Sequence, residues 1–257
     1  MKNTIRWDNL RSPELKELAE VGAIVLVPLG STEQHGPHLP VGCDALMATA
    51  MSEKIAQELC SRGQVCIVAP TIAVANSTHH MSFSGSLTLK PSTYMLMLKD
   101  YCCSIAAHGF RKIVLVNGHG GNVAPTEAAL IEINETLGFP VYLTGYWKGD
   151  PTAQSDVLES QSGMIHACEG ETSLMLAIDE DLVDEGYHSI KGNPGYDFAP
   201  EDDDILHTFH RMESHTENGV MGNSYLATKE KGEKMVDRMV RGMADILCTD
   251  GLWERKV

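Results

Sequence analysis

The sequence has no apolar run long enough to cross a membrane and few basic residues. Its 257 residues contain 20 Lys and Arg against 35 Asp and Glu, a formal net charge of −15. A membrane helix needs about 20 consecutive apolar residues, and an acidic surface repels phosphate backbones and anionic lipid headgroups. We therefore expect neither a nucleic acid nor a membrane as partner.

The sequence also lacks the cysteine spacings that are typical of disulfide-rich proteins and of structural zinc sites. The seven cysteines are an odd number and form no CxxC pair, and residues 1–8 lack the apolar stretch of a signal peptide. These features predict reduced thiols and a cytoplasmic protein.

Internal repeats, low-complexity tracts and Pro/Gly/Ser linkers are absent, which predicts one domain over residues 1–257. One segment has an unusual composition: residues 179–204 hold ten acidic residues and one basic residue, Lys191. We expect a loop excursion at the surface, either simply solvated or acting as a lid or subunit contact.

Short β-branched apolar runs alternate with helical patterns along the chain. This alternation predicts an α/β fold, in which a mostly parallel sheet is covered by helices on both faces. The predicted strands are residues 23–29, 65–69, 113–116 and 140–144, and the predicted helices are residues 44–62, 92–108 (with Ser92 as N-cap), 122–137 and 229–247, with a shorter helical turn over 174–178.

Metal-ligating side chains follow two of these predicted strands. Glu33 and His35 come after the first strand and, being two residues apart in an extended segment, point to the same side. Asp44 begins the next helix, and His119 follows the third strand. Each alone is more often structural, but together at neighbouring strand ends they indicate a site for Zn, Mn or Fe(II), since carboxylates and imidazoles without thiolates suit these ions.

Five separated motifs make the chain similar to one known family. In order they are GSTEQHGPHLP (30–40), HHMSFSGSLTL (79–89), VNGHGGN (116–122), HACEGETS (166–173) and ATKEKG (227–232). The chain resembles the creatininase (creatinine amidohydrolase) family over nearly its full length. The resemblance implies a three-layer α/β/α subunit, a homohexamer, and two divalent metal ions at the carboxyl edge of the sheet.

The resemblance also implies residue roles. Glu33 and His119 would bind one metal, His35 the second, and Asp44 would bridge them, while His166 would be the catalytic histidine. The substrate-binding residues implied are His79, His80, Ser84 and Gly85 at the entrance, Gly120 and Gly121 beside His119, and Trp147 at the place of a gating tryptophan.

The chain departs from creatininase itself at two positions. Gly121 stands where creatininase has a metal-binding glutamate, and Ser162 replaces a second gating tryptophan. The resemblance is therefore to the creatininase-like branch and not to creatininase proper. We expect Glu169 to supply the missing carboxylate and to take part in catalysis, and we interpret Glu171 as a helix N-terminal residue that favours the dipole.

A metal-bridging hydroxide would then attack a carbonyl carbon, and His166 would stabilise the oxyanion or protonate the leaving nitrogen. We expect an amidohydrolase for a small, uncharged, polar substrate, cleaving the C–N bond of a cyclic amide or formamide. The alternatives are ring opening of a cyclic ketone, as in the inosose hydrolase branch, peptide trimming, as in the mycofactocin peptidase branch, and metal or ligand binding without turnover.

Overall fold

A computed structural model describes residues 4–190, 192 and 208–257 of the chain. Its described part contains one sheet of four parallel strands, in the order β2-β1-β3-β4. The strands are β1 (Ile24–Leu29), β2 (Cys66–Val68), β3 (Lys112–Asn117) and β4 (Val141–Gly145). The prediction of a mostly parallel sheet is confirmed.

The two faces of the sheet pack into two separate cores because alternate strand residues point in opposite directions. Ile24 and Leu26 of β1 face one core, whereas Val25 and Val27 face the other. All six residues of β1 are buried. The unbroken apolar sequence of this strand follows from its central position, where both faces are covered.

Helices cover both faces, which makes the fold a three-layer α/β/α arrangement. Residues of α2, α5 and α6 pack on the face of Ile24, and residues of α1, α3 and α4 pack on the face of Val25. Within the described chain, no helix has the length and apolar content needed to span a membrane. The helices are α1 (Ser12–Glu20), α2 (Cys43–Ser61), α3 (Pro91–Ala107), α4 (Val123–Leu137), α5 (Glu169–Ile178) and α6 (Lys229–Leu247).

Some helix boundaries differ from those predicted. Ser92 is not the N-cap of α3, because the helix begins at Pro91 with Lys90 as N-cap; proline suits this first position, where no N–H is needed. Helix α5 begins at Glu169, five residues before the predicted turn at Leu174. Helix α1 was not predicted.

The order of the strands creates a switch point between β1 and β3. The chain passes from β1 through α2 to β2 on one side, and then through α3 to β3 on the other side of β1. In such sheets ligands bind in the crevice outside the carboxyl ends of the two diverging strands. The loops after β1 and β3 carry the predicted metal ligands.

The acidic segment is folded where the structure describes it. It forms 3-10 helices over Glu180–Leu182 and Glu185–Ser189, and the side chains of Val183 and Tyr187 are buried. Lys191 and residues 193–204 of the predicted excursion lie outside the described residues.

Candidate metal centre and active site

A cavity of about 340 Å³ lies at the carboxyl ends of β1 and β3. It collects polar residues from the loops after both strands and from the start of α5. Its lining consists of Glu33, Asp44, His79, His80, Gly118, His119, Gly120, Gly121, Met164, Ile165, His166, Glu171, Met212 and Met221.

Close backbone packing brings Asp44 to the end of β1. A Cβ atom at Gly30 would lie 2.3 Å from the Cα of Ala45, so only glycine allows α2 to start this near the strand. Asp44 lies in the first turn of α2. Its carboxylate thereby reaches the segment that carries Glu33 and His35.

Two asparagines hold the loop that carries His119. The Asn117 amide donates to the backbone oxygen of His119 at 2.7 Å and accepts from its N–H at 3.2 Å. Asn122 donates to the backbone oxygen of Gly30 at 2.9 Å. The asparagines therefore fasten the loop after β3 to itself and to the end of β1.

The ligand atoms lie at distances that suit shared cations. Asp44 Oδ1 is 3.1 Å from His35 Nε2, and Asp44 Oδ2 is 3.1 Å from His119 Nδ1. The carboxylate of Glu33 lies beside the same imidazole, with Oε2 3.2 Å from the other ring nitrogen, His119 Nε2. Two ligand atoms about 2.1 Å from one tetrahedral metal lie about 3.4 Å apart. The two oxygens of Asp44 face different histidines, as a bridging carboxylate requires.

Unpartnered polar atoms test whether this site fits metal ions. Glu33 Oε1, His35 Nε2 and Asp44 Oδ2 are buried without a hydrogen-bond partner anywhere in the described chain. Buried polar atoms are rarely left so, because the lost hydration is costly. Each of these atoms offers a lone pair and lies in a buried group of His, Asp and Glu side chains. The donor set therefore fits two divalent cations.

Backbone carbonyls fix the orientation of three site histidines. His35 Nδ1 donates to Glu33 O at 3.1 Å, His119 Nε2 to Asn76 O at 3.0 Å, and His166 Nε2 to Gln34 O at 2.8 Å. A carbonyl oxygen only accepts, so the proton lies on the named nitrogen. When the ring is neutral, the other nitrogen carries a lone pair, and in all three rings this nitrogen faces the carboxylates.

The electrostatics of the site favour bound positive charge. Burial opposes ionisation of Glu33, but His119 and His80 outweigh it and hold the pKa of this carboxyl well below its usual range. Burial likewise opposes protonation of His35, yet Asp44 raises the pKa of this imidazole to about 10. Burial raises the pKa of Glu171 to about 7. Cations in the site would offset this concentration of buried carboxylates.

The prediction for Glu169 is corrected by the structure. Its carboxylate lies 2.7 Å from Lys231 Nζ and accepts from the N–H groups of Glu159 and Ser160. Glu171 instead enters the site, with Oε2 3.9 Å from His35 Nε2. Since α5 begins at Glu169, two successive glutamates in it are separated by about 200° around the helix axis and face nearly opposite sides.

Packing around Gly121 explains why this position cannot carry the glutamate that creatininase has there. A Cβ atom at this position would lie 2.5 Å from both Asn76 O and His119 Nε2. No side chain fits there while Asn76 holds His119. Glu171, with His35 and His166, forms one of the buried groups of possible metal ligands.

The predicted substrate-binding residues divide into two sets. His79, His80, Gly120 and Gly121 line the cavity. Among the described residues that form its wall, Ser84, Gly85 and Trp147 do not occur, so the structure does not bring these three predicted residues to the cavity. Ser84 and Gly85 are exposed at the surface. Trp147 packs edge-on against Tyr146, with ring centroids 5.1 Å apart, and contacts the core.

Several site residues were missed from the sequence. Gln34 is buried beside His166 and His80, and its position between two predicted ligands was a usable signal. Met164, Met212 and Met221 form an apolar part of the wall. Their spacing in the sequence follows no pattern, so no signal was available for them.

Comparisons with known proteins agree with this geometry. The family profile described as creatinine amidohydrolase matches residues 8–247. The mycofactocin precursor peptide peptidase of Mycolicibacterium smegmatis is 33% identical over 90% of this chain and 86% of its own length. The creatinine amidohydrolase of Pseudomonas putida is 29% identical, with coverage of 87% and 88%.

Solved creatininase structures have the same fold. A manganese form superposes with a TM-score of 0.79 at 26% identity, covering 95% of this chain and 98% of that one. A Zn-Zn form of a creatininase mutant also gives 0.79 at 26% identity, covering 96% and 98%.

Proposed function

The chain belongs to the creatininase family of metal-dependent hydrolases, and from this premise we propose that it cleaves an amide C–N bond in a peptide. The observation that carries the proposal is the similarity to a mycofactocin precursor peptide peptidase, at 33% identity over most of both chains. Identity to creatinine amidohydrolase is lower, at 29%. A peptide substrate thus replaces the cyclic amide or formamide expected from the sequence.

Two features of the cavity support this choice. Gly121 cannot carry the glutamate expected for creatininase, and Trp147 packs on the core instead of beside the cavity. The part of the wall formed by Met164, Met212 and Met221 is apolar, and the lining drawn from the described residues contains no Lys or Arg. Such a wall suits an uncharged peptide segment.

The chain would hold two cations through Glu33, His35, Asp44, His119 and Glu171. Divalent cations supply Lewis acidity and a water nucleophile that ionises near neutral pH. The carboxylate of Asp44 lies between His35 and His119 and contacts both rings. The backbone carbonyls of Glu33 and Asn76 accept hydrogen bonds from those rings and keep each ring in the tautomer whose other nitrogen offers a lone pair.

His166 provides the proton transfer that amide hydrolysis needs. In the reaction the oxygen of water bonds to the carbonyl carbon, the C–N bond breaks, and the leaving nitrogen takes a proton. The bare Nδ1 of His166 faces the cavity, because its Nε2–H is bound to Gln34 O at 2.8 Å. This atom accepts the proton from water and returns it to the amine.

The test is hydrolysis of peptides by protein loaded with Mn, Zn or Fe(II). A mycofactocin precursor peptide and a panel of unrelated peptides would be incubated with the enzyme and followed by mass spectrometry. We expect two fragments whose masses sum to the substrate plus one water. Creatinine, formamides and cyclic ketones serve as the competing panel. Turnover of one of these with every peptide left intact would overturn the proposal.

A further inference from the structure

Gln34 contacts two of the histidines that line the cavity, His80 and His166. It lies between two metal-ligand candidates in sequence, and its side chain is 5% exposed. Its amide nitrogen lies 2.9 Å from His80 Nδ1, 2.9 Å from His166 Nε2 and 3.3 Å from Gly219 O.

The orientation of the Gln34 amide is fixed by a backbone group. The N–H of Gly36 donates to Gln34 Oε1 at 2.9 Å. A backbone N–H requires an acceptor, so the oxygen is on that side and the NH₂ group is on the side of the histidines. Gly219, with a φ of +81° and no side chain, leaves room for the amide.

The two hydrogens of this NH₂ group have two acceptors. His166 Nε2 already donates its hydrogen to Gln34 O at 2.8 Å, so it has no lone pair for the amide. The remaining contacts are His80 Nδ1 and Gly219 O, and both accept. His80 Nδ1 therefore carries the lone pair of its ring, and the proton of neutral His80 is on Nε2.

We propose that Gln34 is a positioning residue that holds His80 and His166 in the same Nε2–H tautomer but turns opposite nitrogens of the two rings to the cavity. His166 turns a bare nitrogen to the cavity, whereas His80 turns an N–H to it. The two rings are neighbours, with centroids 4.5 Å apart. His80 Nε2 lies 3.1 Å from Glu33 Oε1 without a hydrogen bond between them, so its N–H is available to another acceptor.

This arrangement deepens the proposed function and rests on it for the identity of the acceptor. In amide hydrolysis negative charge develops on the carbonyl oxygen of the substrate, and a fixed N–H donor stabilises that charge. His80 becomes the donor to this oxygen, and His166 the group that moves the proton. One glutamine thus assigns the two rings different tasks.

The tautomers are measured directly on zinc-loaded protein labelled with ¹⁵N-histidine. Two-bond ¹H–¹⁵N correlation spectra distinguish a ring protonated on Nε2 from one protonated on Nδ1. We expect Nε2–H for both His80 and His166. In Gln34→Glu the new carboxylate accepts from His80 Nδ1, so His80 becomes Nδ1–H while His166 remains Nε2–H. Gln34→Met lacks the amide, and His80 then loses its fixed tautomer.

Kinetics on a cleaved peptide give the second measurement. Loss of a fixed donor at the developing oxyanion lowers kcat by about 10²-fold, and we expect KM to change little in both Gln34 variants. Bound zinc, measured by mass spectrometry, stays at the wild-type level. Gln57→Met, at an exposed glutamine of α2, is the matched control and keeps wild-type spectra and kcat.

The outcomes separate this inference from the proposed function. His80 protonated on Nδ1 in the wild type, or unchanged in Gln34→Glu, overturns the role of Gln34 whatever the substrate is. The expected tautomers in a protein that cleaves no peptide would leave the histidine assignment standing and overturn the proposed function. If the Gln34 variants lost bound zinc in proportion to their loss of kcat, Gln34 would only support the structure of the site, and the inference would also be overturned.

Discussion

Two glutamates two positions apart, Glu169 and Glu171, have different surroundings. Glu171 faces His35 from the start of α5, while Glu169 faces Lys231 and the segment at residues 159–160. Substituting glutamine for each glutamate in turn therefore compares a carboxylate inside the site with one outside it.

We predict that Glu171→Gln lowers the metal content of the purified protein, whereas Glu169→Gln does not. A neutral amide oxygen is a weaker ligand for a divalent cation than a carboxylate. Metal per chain would be measured by inductively coupled plasma mass spectrometry after dialysis against a weak chelator, and we expect Glu171→Gln to retain about one ion where the wild type retains two. Loss of metal in Glu169→Gln alone would restore the original assignment of Glu169.

At the scale of elements, Lys231 connects three parts of the chain behind the site. Its Nζ lies 2.6 Å from Glu159 Oε1, 2.7 Å from Glu169 Oε1 and 2.7 Å from Leu226 O. The lysine is in the first turn of α6, and Glu169 begins α5. The segment held by these contacts continues to Met164, Ile165 and His166 of the cavity.

We predict that Lys231→Met lowers the free energy of unfolding by about 2 kcal/mol, because it removes a charged hydrogen bond from a carboxylate that is buried. Urea denaturation followed by circular dichroism measures the change. Adding Glu169→Gln to Lys231→Met should recover part of the loss, since the uncompensated charge is then gone.

The matched control is Lys234→Met, one turn along α6. Lys234 pairs with Glu230, but these side chains are 60% and 76% exposed. Exposed pairs contribute little, so this variant should unfold like the wild type. Equal destabilisation by the two lysine substitutions would mean that α6 itself, and not the buried contact, is being weakened.

The elements were largely predictable from sequence because their signals are local. The strand at Ile24–Leu29 is an apolar run, and α6 has strict amphipathic spacing, so the predicted range of 229–247 equals the observed one. The clustering of Glu33, His35, Asp44 and His119 was predictable for a related reason. They follow strand ends that a parallel sheet brings together.

The residues whose positions differ from the expectation, or were not foreseen, depend on information that is not local. Whether Glu169 or Glu171 enters the site depends on the residue at which α5 begins, and a shift of two residues exchanges their faces. Trp147 lies in the turn after β4, and its direction is set by packing against Tyr146 and the core. Met212 and Met221 reach the cavity from a distant part of the sequence.

At the scale of the whole molecule, we expect the stability of the fold to depend on bound cations. Glu33, Asp44 and Glu171 are all buried at the junction of β1, β3, α2 and α5. Removal of cations would leave these carboxylates repelling one another in a medium that solvates them poorly.

We predict that chelation lowers the melting temperature by about 10 °C. A ligand present at about 1,000 times its Kd stabilises the folded state by about 4 kcal/mol, and in a protein of this size each kcal/mol shifts the transition by about 2–4 °C. Differential scanning calorimetry of metal-loaded and chelated protein measures the shift.

Restoring Zn or Mn to the chelated protein should restore the melting temperature. Among the described residues four clusters of His, Asp and Glu could hold a metal ion, and three of them contain Glu33, so Glu33→Gln should respond much less to the chelator. An unchanged melting temperature, with metal loss verified by mass spectrometry, would show that the fold does not depend on the cations.

The hydrogen bonds from His35, His119 and His166 to backbone carbonyls affect how well the site tolerates mutation. The acceptors are the main-chain oxygens of Glu33, Asn76 and Gln34. Every amino acid has such an oxygen, so a substitution at Asn76 or Gln34 leaves the acceptor in place as long as the backbone conformation is kept. Ring orientation is thus robust to mutation, and the side chains of Met164, Met212 and Met221 take no part in these contacts. Random mutagenesis confined to these three positions should yield new substrate preferences without loss of the metal centre, which makes them the natural starting library for directed evolution.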